Sequence, residues 1–454
     1  MIEVITVETP SLGDRSYVAT DGTNSIVIDP QRDIDRMVTI LEERGLTLTH
    51  VVETHIHNDY VTGGFALAQR YGASYCVNAD DAVTYERTPV SDGDVLESGD
   101  MRITVLHTPG HTPTHLSYAL ADASGTSVGV FTGGSMLFGT VGRPDLISQE
   151  MTEPLARAQW RSVRRLAEAL PDETIVHPTH GFGSHCSSIQ TTKPSSTIGQ
   201  ERTDNPALTN DEEAFLELLI GGLTPYPTYY QYMAPINVEG PSPFDATPPE
   251  LLDVPRVAAL LREGAWVIDL RNRRAFAGAF LRGAINAELR NDLPNYLGWF
   301  VPFDEPLVLI GDDEKVVAEA QRMLARIGYD RLRGRATVDA DALAGEASVT
   351  SIKVGNFGDL EATDPGARHV LDVRDTWEYE SGHHADAQHI PFHDLAERLD
   401  EVPDDKPIWL YCATGARATI AASFLVRSGR EVVLIDDFCL PGDVPGKATA
   451  AANA

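Results

Sequence analysis

One cysteine of the sequence stands where a thiol would be reactive. The apolar run PIWLY predicts a buried strand, Cys412 follows it directly, and the stretch after Arg417, ATIAASFLVRSG, predicts a helix. Backbone N–H groups that open a helix attract negative charge, and successive N–H groups in a turn form an anion cradle. The pattern therefore predicts a nucleophilic Cys412 that accepts a terminal sulfur atom and holds it as a persulfide, Cys–S–S⁻.

The residues between the cysteine and the arginine suit such a cradle. Gly415 permits a turn that side chains would obstruct, and Arg417 adds fixed positive charge. The backbone amides expected to face the sulfur are those of Ala413, Thr414, Gly415 and Ala416. The alternative is a buried core cysteine, the usual fate of this residue type. A phosphatase-like loop would need a general acid and a longer spacing between cysteine and arginine.

A second group of residues has the types and spacing of metal ligands. His55-x-His57-x-Asp59 follows the apolar strand THVVETH directly, and histidines two apart in a turn can converge on one ion. Asp59 can bind a second ion or a water. His111 in TPGHTPTH and His180 in IVHPTH also stand at predicted strand ends. The alternative is that these are ordinary surface or core histidines.

Composition restricts the partners of these sites. The sequence has 36 basic and 67 acidic residues, so its net charge is 36 − 67 = −31. Such a surface repels phosphate backbones and anionic lipid, so no nucleic-acid or membrane partner is expected. No run approaches the ~18 apolar residues that span a bilayer. Four scattered cysteines and an N-terminus without a signal-peptide pattern indicate a reducing cytoplasm.

The length of 454 residues predicts about three domains. Strands and helices alternate in the first half, and a Pro- and aromatic-rich connector follows. Two similar units come next, each reading strand, loop, short strand, helix, strand, loop, helix, strand, which predicts small doubly wound parallel sheets. The predicted parts are a metal-binding domain at 1–245, two such units at 246–345 and 350–445, and a disordered tail at 446–454.

The loop C-x-x-G-x-R and the upstream segment LDVRD…EY…GH…HIP together resemble the rhodanese sulfurtransferases over residues ~350–440. The resemblance implies that Cys412 carries the persulfide, that the loop amides and Arg417 steady it, and that Asp372 and Arg374 are structural supports. The first unit has Gly311-Asp312-Asp313 at the corresponding place. Without a thiol, that unit is expected to be a structural or docking module.

The histidine motifs, with TVGRPDL and STIGQERTDNPAL, resemble the metallo-β-lactamase superfamily over residues ~1–245, nearest the persulfide dioxygenase–rhodanese fusions. The implied fold class is α/β, an αββα sandwich followed by two rhodanese-type parallel sheets. The implied cofactor is one Fe(II) held by two His and one Asp. By position the family's histidine ligands are His55 and His111, while His57, Asp59 and His180 match metal positions of the wider superfamily.

Two departures from that family concern the metal. Tyr60 stands where many relatives have a second-site histidine, which argues against a binuclear zinc hydrolase. Gly134, in FTGGSMLFG, replaces the family's ligand Asp. Either His57 or water completes an iron site, or three histidines bind zinc, or metal is lost. Arg143 in VGRPD is a candidate contact for an anionic thiol substrate, or an ordinary surface arginine. Cys186 and Cys439 are expected to be inert.

The function these patterns predict is sulfur transfer through Cys412, linked to oxidation of a low-molecular-weight persulfide by O₂ to sulfite and thiol. The expected small-molecule partners are glutathione-like thiols and persulfides, thiosulfate or sulfite, and O₂; a homo-oligomer is compatible with the sequence. One alternative is a sulfurtransferase whose N-terminal domain is a zinc-dependent thioester hydrolase or is catalytically silent. Another is a non-catalytic persulfide carrier or sensor.

Overall fold

A computed structural model describes residues 1–188, 193–338, 343, 348–439 and 447–448. They form two compact units. One comprises Met1–Asp245 with Ala325–Gly328, and the other comprises Ala246–Leu324 with Tyr329–Ala454. Among the described residues, no helix is long and apolar enough to cross a membrane.

The first unit is built on two six-stranded sheets, each paired in chain order. The strands of the first sheet are β1 (Glu3–Thr9), β2 (Asp14–Thr20), β3 (Asn24–Ile28), β4 (Thr47–Val52), β5 (Ser74–Asn78) and β6 (Thr88–Val90). Those of the second sheet are β7 (Val95–Ser98), β8 (Met101–His107), β9 (Leu116–Asp122), β10 (Ser127–Gly133), β11 (Ile175–Pro178) and β12 (Ser196–Thr197).

The two sheets face each other across an apolar core that both supply, including Ile26 and Val52 from the first sheet and Ile103 and Phe131 from the second. Helices cover the outer faces, and separate apolar clusters fill those interfaces. The helices of this unit are α1 (Asp35–Arg44), α2 (Gly64–Tyr71), α3 (Gln149–Ala169), α4 (Ile198–Asp204), α5 (Pro206–Thr209), α6 (Glu212–Gly221) and α7 (Tyr230–Glu239). The predicted αββα sandwich is confirmed.

The long helix α3 shows how local sequence sets these elements. Ser148 caps its first turn by accepting a hydrogen bond from the N–H of Met151. Leu155, Val163 and Leu166, at spacings that return to one side of a helix, are buried against the second sheet. Gln159 and Ser162 are buried on the same side, where they donate hydrogen bonds to backbone carbonyls, including those of Gly134 and Pro109. Arg161 and Arg165 lie exposed on the other side.

The second unit contains two parallel sheets. The four-stranded sheet has the order β15-β13-β16-β17 and the five-stranded sheet the order β19-β24-β23-β20-β22, with every pairing parallel. The predicted parallel-sheet class is thereby confirmed. The strands are β13 (Trp266–Asp269), β14 (Phe280–Leu281), β15 (Ile285–Asn286), β16 (Leu307–Gly311), β17 (Leu332–Thr337), β18 (Val349–Thr350), β19 (Lys353–Gly355), β20 (His369–Asp372), β21 (His383–His384), β22 (Ala387–His389), β23 (Ile408–Tyr411), β24 (Val432–Ile435) and β25 (Lys447–Ala448).

Helices connect these strands, as parallel neighbours require. They are α8 (Val254–Arg262), α9 (Arg273–Gly278), α10 (Leu293–Phe300), α11 (Glu314–Arg326), α12 (Phe357–Glu361), α13 (Thr376–Glu380) and α14 (Ala416–Arg427). The predicted tail lies outside the described residues except for Lys447–Ala448, which pair with β21.

Each of the two parallel sheets has a buried Asp–Arg ion pair at the end of a central strand, at corresponding places in the two similar repeats. Asp269 at the end of β13 binds the guanidinium of Arg271, and Asp372 at the end of β20 binds that of Arg374. The second pair is fully buried, with Nη2 of Arg374 2.6 Å from Oδ2 of Asp372. Arg374 also donates to the carbonyl of Gly382, so it ties the strand end to the following loop.

We predict that Arg374→Met lowers the free energy of unfolding by about 3–5 kcal/mol, because it leaves the buried Asp372 carboxylate unpaired. Chemical denaturation followed by tryptophan fluorescence measures this. The control is Arg398→Met, which breaks the exposed pair with Glu401 and is expected to cost less than about 1 kcal/mol. Equal effects of the two substitutions would contradict the structural role given to Arg374.

Candidate metal and sulfur-transfer sites

Loops at one edge of the first unit bring together the histidines that the sequence singled out. His55 and His57 lie on the loop after β4, and His180 follows β11. Nε2 of His55 lies 3.4 Å from Nε2 of His180, and the ring centres of His55 and His111 are 4.7 Å apart. All four histidines are at most 2% exposed. The structure therefore assembles the predicted set in one buried place.

Three of these rings are oriented by a protein group at Nδ1. The hydroxyl of Thr54 lies 2.9 Å from Nδ1 of His55, the carbonyl of Arg143 lies 2.8 Å from Nδ1 of His111, and Asp14 lies 2.9 Å from Nδ1 of His180. Each contact fixes a ring and leaves Nε2 turned toward the cluster. Partners of this kind orient the ligands in metal sites.

His57 differs from these three histidines because the protein contacts its Nε2 atom. Its Nε2 lies 2.9 Å from the hydroxyl of Tyr60, 3.3 Å from Asp29 and 3.4 Å from Glu53. Although burial opposes it, the two carboxylates raise the pKa of His57 to about 9. Tyr60 thus supports the ring of His57. Nδ1 of His57 faces Asp59, 3.9 Å from Oδ1.

Buried polar atoms without hydrogen-bond partners test whether these residues fit a metal ion. Oδ2 of Asp59 lies 3.2 Å from Nδ1 of His180, but Nε2 of His111 and Nδ1 of His57 are such unpartnered atoms. Leaving them unpaired in a protein interior is costly, and a bound cation would satisfy them. Ligand atoms of His55, His57 and His180 lie within 4.8 Å of one another. The donors fit a metal ion, and imidazole nitrogens with a carboxylate suit both iron and zinc.

Electrostatics divides the histidines into two kinds. Burial and neighbouring imidazoles depress the pKa of His55 well below its ordinary value and that of His111 to about 3. These rings are neutral, the form that binds metals. In His180 burial is overcome by Asp59 and Asp14, which raise its pKa to about 10. A metal ion bound to His180 would take the place of the proton that Asp59 and Asp14 stabilise on its ring.

Gly134 follows β10 and packs directly against His111. A β-carbon at this position would collide with the imidazole, 2.6 Å from Cγ and 2.8 Å from Nε2. The backbone N–H of Gly134 also donates to Nε2 of His115, whose other nitrogen contacts Thr108. His115 is therefore satisfied within the protein. The ring of His111 occupies the space that a side chain at position 134 would need.

Arg143 is buried and 2% exposed, so it is not a surface arginine. Its guanidinium donates to Asp145 at 2.7 and 2.8 Å and to the carbonyls of His185 and Thr224. The side chain thus holds loops together, while the carbonyl of Arg143 orients His111. A contact from Arg143 to substrate would require these bonds to rearrange.

Cys412 lies between β23 and α14, as the sequence predicted. Its Sγ accepts hydrogen bonds from the backbone N–H groups of Gly415, at 3.2 Å, and Ala418, at 3.3 Å. Gly415 has a φ of +87°, and a side chain there would approach Asp436. Cys412 is 1% exposed, beneath an exposed Thr414. Its sulfur is therefore held by two backbone N–H groups and does not lie in a wholly apolar core.

Arg417 is engaged by two carboxylates. Its Nη1 donates to Asp375 at 3.0 Å and to Glu378 at 2.7 Å, and its Nη2 donates to Glu378 at 2.8 Å. Because both partners belong to the start of α13, Arg417 ties this helix to the cysteine loop. Its charge is largely compensated before any substrate arrives.

The first parallel-sheet repeat borders the cysteine loop, which the sequence did not reveal. A small cavity is lined by residues of both repeats, including Arg273, Arg290 and Tyr296 of the first and Ala416 and Ile420 of the second. Burial raises the pKa of Tyr296 to about 12, while the charge of nearby Arg417 lowers it. The repeat without a thiol thus forms one wall beside the loop.

Several residues that contact the histidine cluster were not predicted from the sequence. Asp14, Asp29 and Glu53 support the histidines, but each is far from its partner in the chain or lies outside the motif. Cys186 was expected to be inert, yet its sulfur lies within 4.8 Å of ligand atoms of His111 and His180.

Comparison with known proteins agrees with this geometry. Residues 15–180 match the model of the metallo-beta-lactamase superfamily, and residues 359–438 match that of the rhodanese-like domain. The chain therefore belongs to the metallo-beta-lactamase superfamily and carries a rhodanese-like domain after it, which confirms the predicted fusion.

Individual relatives make the likeness more specific. The chain is 28% identical over 228 residues to human mitochondrial persulfide dioxygenase ETHE1, covering 50% of this chain and 81% of that protein. It is 30% identical over 223 residues to hydroxyacylglutathione hydrolase of Chromohalobacter salexigens, covering 44% and 83%. A metallo-beta-lactamase structure from Staphylococcus aureus subsp. aureus COL is 29% identical, with a TM-score of 0.66, covering 74% of this chain and 99% of that one.

Gly134→Ala is expected to weaken metal binding about 10–100-fold, because the added methyl group displaces His111 from the carbonyl of Arg143 that orients it. Elemental analysis after equilibration with a metal buffer measures the loss. Gly221→Ala, on an exposed helical site with open space around it, is the matched control. Unchanged affinity in Gly134→Ala would show that His111 is not a ligand.

Proposed function

We propose that this chain is an enzyme of sulfur metabolism that transfers sulfane sulfur through a persulfide on Cys412. The observation that carries the proposal is the pair of backbone N–H groups, from Gly415 and Ala418, that point at Sγ. Such donors stabilise negative charge on the sulfur before transfer and on the outer sulfur after it. The match to the rhodanese-like domain supports the same chemistry.

The transfer takes two displacements. The thiolate of Cys412 attacks the outer sulfur of a donor, R–S–S⁻ or thiosulfate, the donor's S–S bond breaks, and R–S⁻ or sulfite leaves with the bonding electrons. An acceptor thiolate then attacks the outer sulfur of Cys–S–S⁻ and regenerates the thiolate. Because the enzyme is covalently modified between the two steps, ping-pong kinetics are expected.

For the first unit we propose a persulfide dioxygenase, supported by the likeness to the human persulfide dioxygenase. The balanced reaction is R–S–SH + O₂ + H₂O → R–SH + SO₃²⁻ + 2H⁺, in which the outer sulfur is oxidised and O₂ is reduced. Iron(II), when bound, would supply the capacity to activate O₂. The residues proposed to hold it are His55, His111 and His180, with His57 and Asp59 close by.

The residues of this chain prepare the site in other ways. Thr54, Asp14 and the carbonyl of Arg143 fix the rings, while burial of all the histidines excludes bulk water. We place the protein in the cytoplasm, where the free state of all four cysteines is expected to persist.

A second candidate is a zinc-dependent thioester hydrolase in the first unit. It is favoured by Gly134, which supplies no carboxylate, and by the likeness to hydroxyacylglutathione hydrolase. Elemental analysis of untreated protein separates the two, since iron supports the dioxygenase, zinc the hydrolase, and neither metal a silent domain.

Cys412→Ser is expected to abolish thiocyanate formation from thiosulfate and cyanide, because a hydroxyl cannot hold the transferred sulfur. The same variant should not gain the mass of one sulfur atom after incubation with thiosulfate. Cys439→Ala, which removes another buried thiol of the same repeat, should keep both properties. Transfer by Cys412→Ser would refute the assignment, and a stable persulfide without turnover would favour the carrier alternative.

Protein loaded with iron under anaerobic conditions is expected to consume O₂ when given glutathione persulfide, with sulfite formed in equal amount. An oxygen electrode and sulfite analysis measure both. His55→Ala should lose this uptake and keep the thiosulfate–cyanide transfer, because Cys412 lies in the other unit. Iron-loaded protein that consumes no O₂ would exclude the dioxygenase.

A further inference from the structure

Gly134 has no side chain with which to bind the metal proposed for this site. Nε2 of His111 is buried and has no hydrogen-bond partner, although the carbonyl of Arg143 orients its ring. A β-carbon at position 134 would collide with the ring of His111, and Asp59, the carboxylate of the cluster, lies 3.2 Å from Nδ1 of His180. An anionic ligand for a metal bound to His111 would therefore come from another segment.

The chain brings such a segment to the same place. The N–H of Gly142 donates to the carbonyl of Gly134, and Gly142 forms an isolated bridge with Ser187. The N–H of Arg143 then donates to the carbonyl of Cys186. These backbone contacts place Cys186 next to the loop that carries Gly134.

The thiol of Cys186 is fully buried and faces the cluster. Its Sγ and ligand nitrogens of His111 and His180 lie within 4.8 Å of one another. Bonds of about 2.3 Å to sulfur and about 2.0–2.1 Å to nitrogen bring such atoms onto one ion after small shifts. A thiolate carries the single negative charge that the missing carboxylate would have brought.

We infer that Cys186 is a ligand of the metal in this protein and takes the place of the family's ligand Asp. On binding, the thiol proton passes to solvent and sulfur donates to the metal. A donor set of imidazoles and one thiolate is softer than imidazoles and a carboxylate, and it shifts selectivity toward zinc. The inference rests on the metal site of the proposed function and on neither of its reactions.

Cobalt(II) tests this through the spectrum rather than the activity. The full-length metal-free protein is reconstituted anaerobically with Co²⁺, and a thiolate-to-cobalt charge-transfer band in the near ultraviolet is expected. Cys186→Ser should bind Co²⁺ but lose that band. Cys76→Ser, which alters a buried thiol in the core between the two sheets, and Cys412→Ser should keep it.

X-ray absorption of the unmutated zinc- or cobalt-bound protein provides a second readout, needed if Cys186→Ser fails to fold. One sulfur neighbour of the metal is expected. A first shell of nitrogen and oxygen alone, or a band unchanged in Cys186→Ser, would overturn the inference while leaving the metal site intact. Protein that binds no Co²⁺ at all would overturn both this ligand and the metal site of the proposed function.

Discussion

Two backbone N–H groups meet at the sulfur of Cys412, and the second parallel-sheet repeat is arranged so that they stay there. The buried strand β23 fixes the cysteine, and α14 begins at the glycine whose backbone conformation turns the chain back over it. Arg417 then anchors α14 to α13 through Asp375 and Glu378. Backbone donors cannot rotate away as side chains do, so the polarity around the sulfur is a property of the fold.

In the metal cluster, by contrast with the Cys412 loop, the donors are side chains, and each ring needs its own hydrogen bond to hold its orientation. Thr54, Asp14 and the carbonyl of Arg143 take one nitrogen of three rings and thereby select the other for the metal. In His57 the contacts with Tyr60, Asp29 and Glu53 are made by Nε2, so that Nδ1 is the nitrogen left for the metal. The burial that makes these contacts strong also makes the unfilled cluster unfavourable, because buried polar atoms are left without partners.

Sequence reasoning succeeded where chemistry and structure are contiguous. Cys412 and its strand, loop and helix occupy one short stretch, so the position of the cysteine followed from the pattern. Of the four amides expected to face the sulfur, that of Gly415 donates to it, and the second donor is Ala418, which was not predicted. The parallel sheets followed from the repeated order of strands and helices, and the αββα sandwich followed from the resemblance to the metallo-β-lactamase superfamily. The spacing of the histidines in the loop after β4 gave the candidate donors but not their orientation.

What was missed depends on segments that meet only in the folded chain. Asp14 reaches His180 across 166 positions, and Cys186 approaches His111 only because its loop joins the one at Gly142. Arg143 pairs with Asp145, two residues on, but it is also held by the distant carbonyl of Thr224, which the sequence did not indicate. Hydrogen bonding of this kind is a tertiary property that no local pattern encodes.

Asp29 stands at the end of β3 with a φ of +50°, a conformation that residues with side chains rarely adopt. Its carboxylate accepts hydrogen bonds from the N–H and hydroxyl of Thr54 and from the hydroxyl of Thr179, which lie after β4 and β11. Asp29 therefore links the ends of β3 and β4 in the first sheet to the end of β11 in the second sheet, and its strained backbone conformation lies at this junction. The histidines themselves come from loops of both sheets, so the proposed metal site exists only where the two sheets are packed together, and its affinity for metal is coupled to the folding of the whole unit.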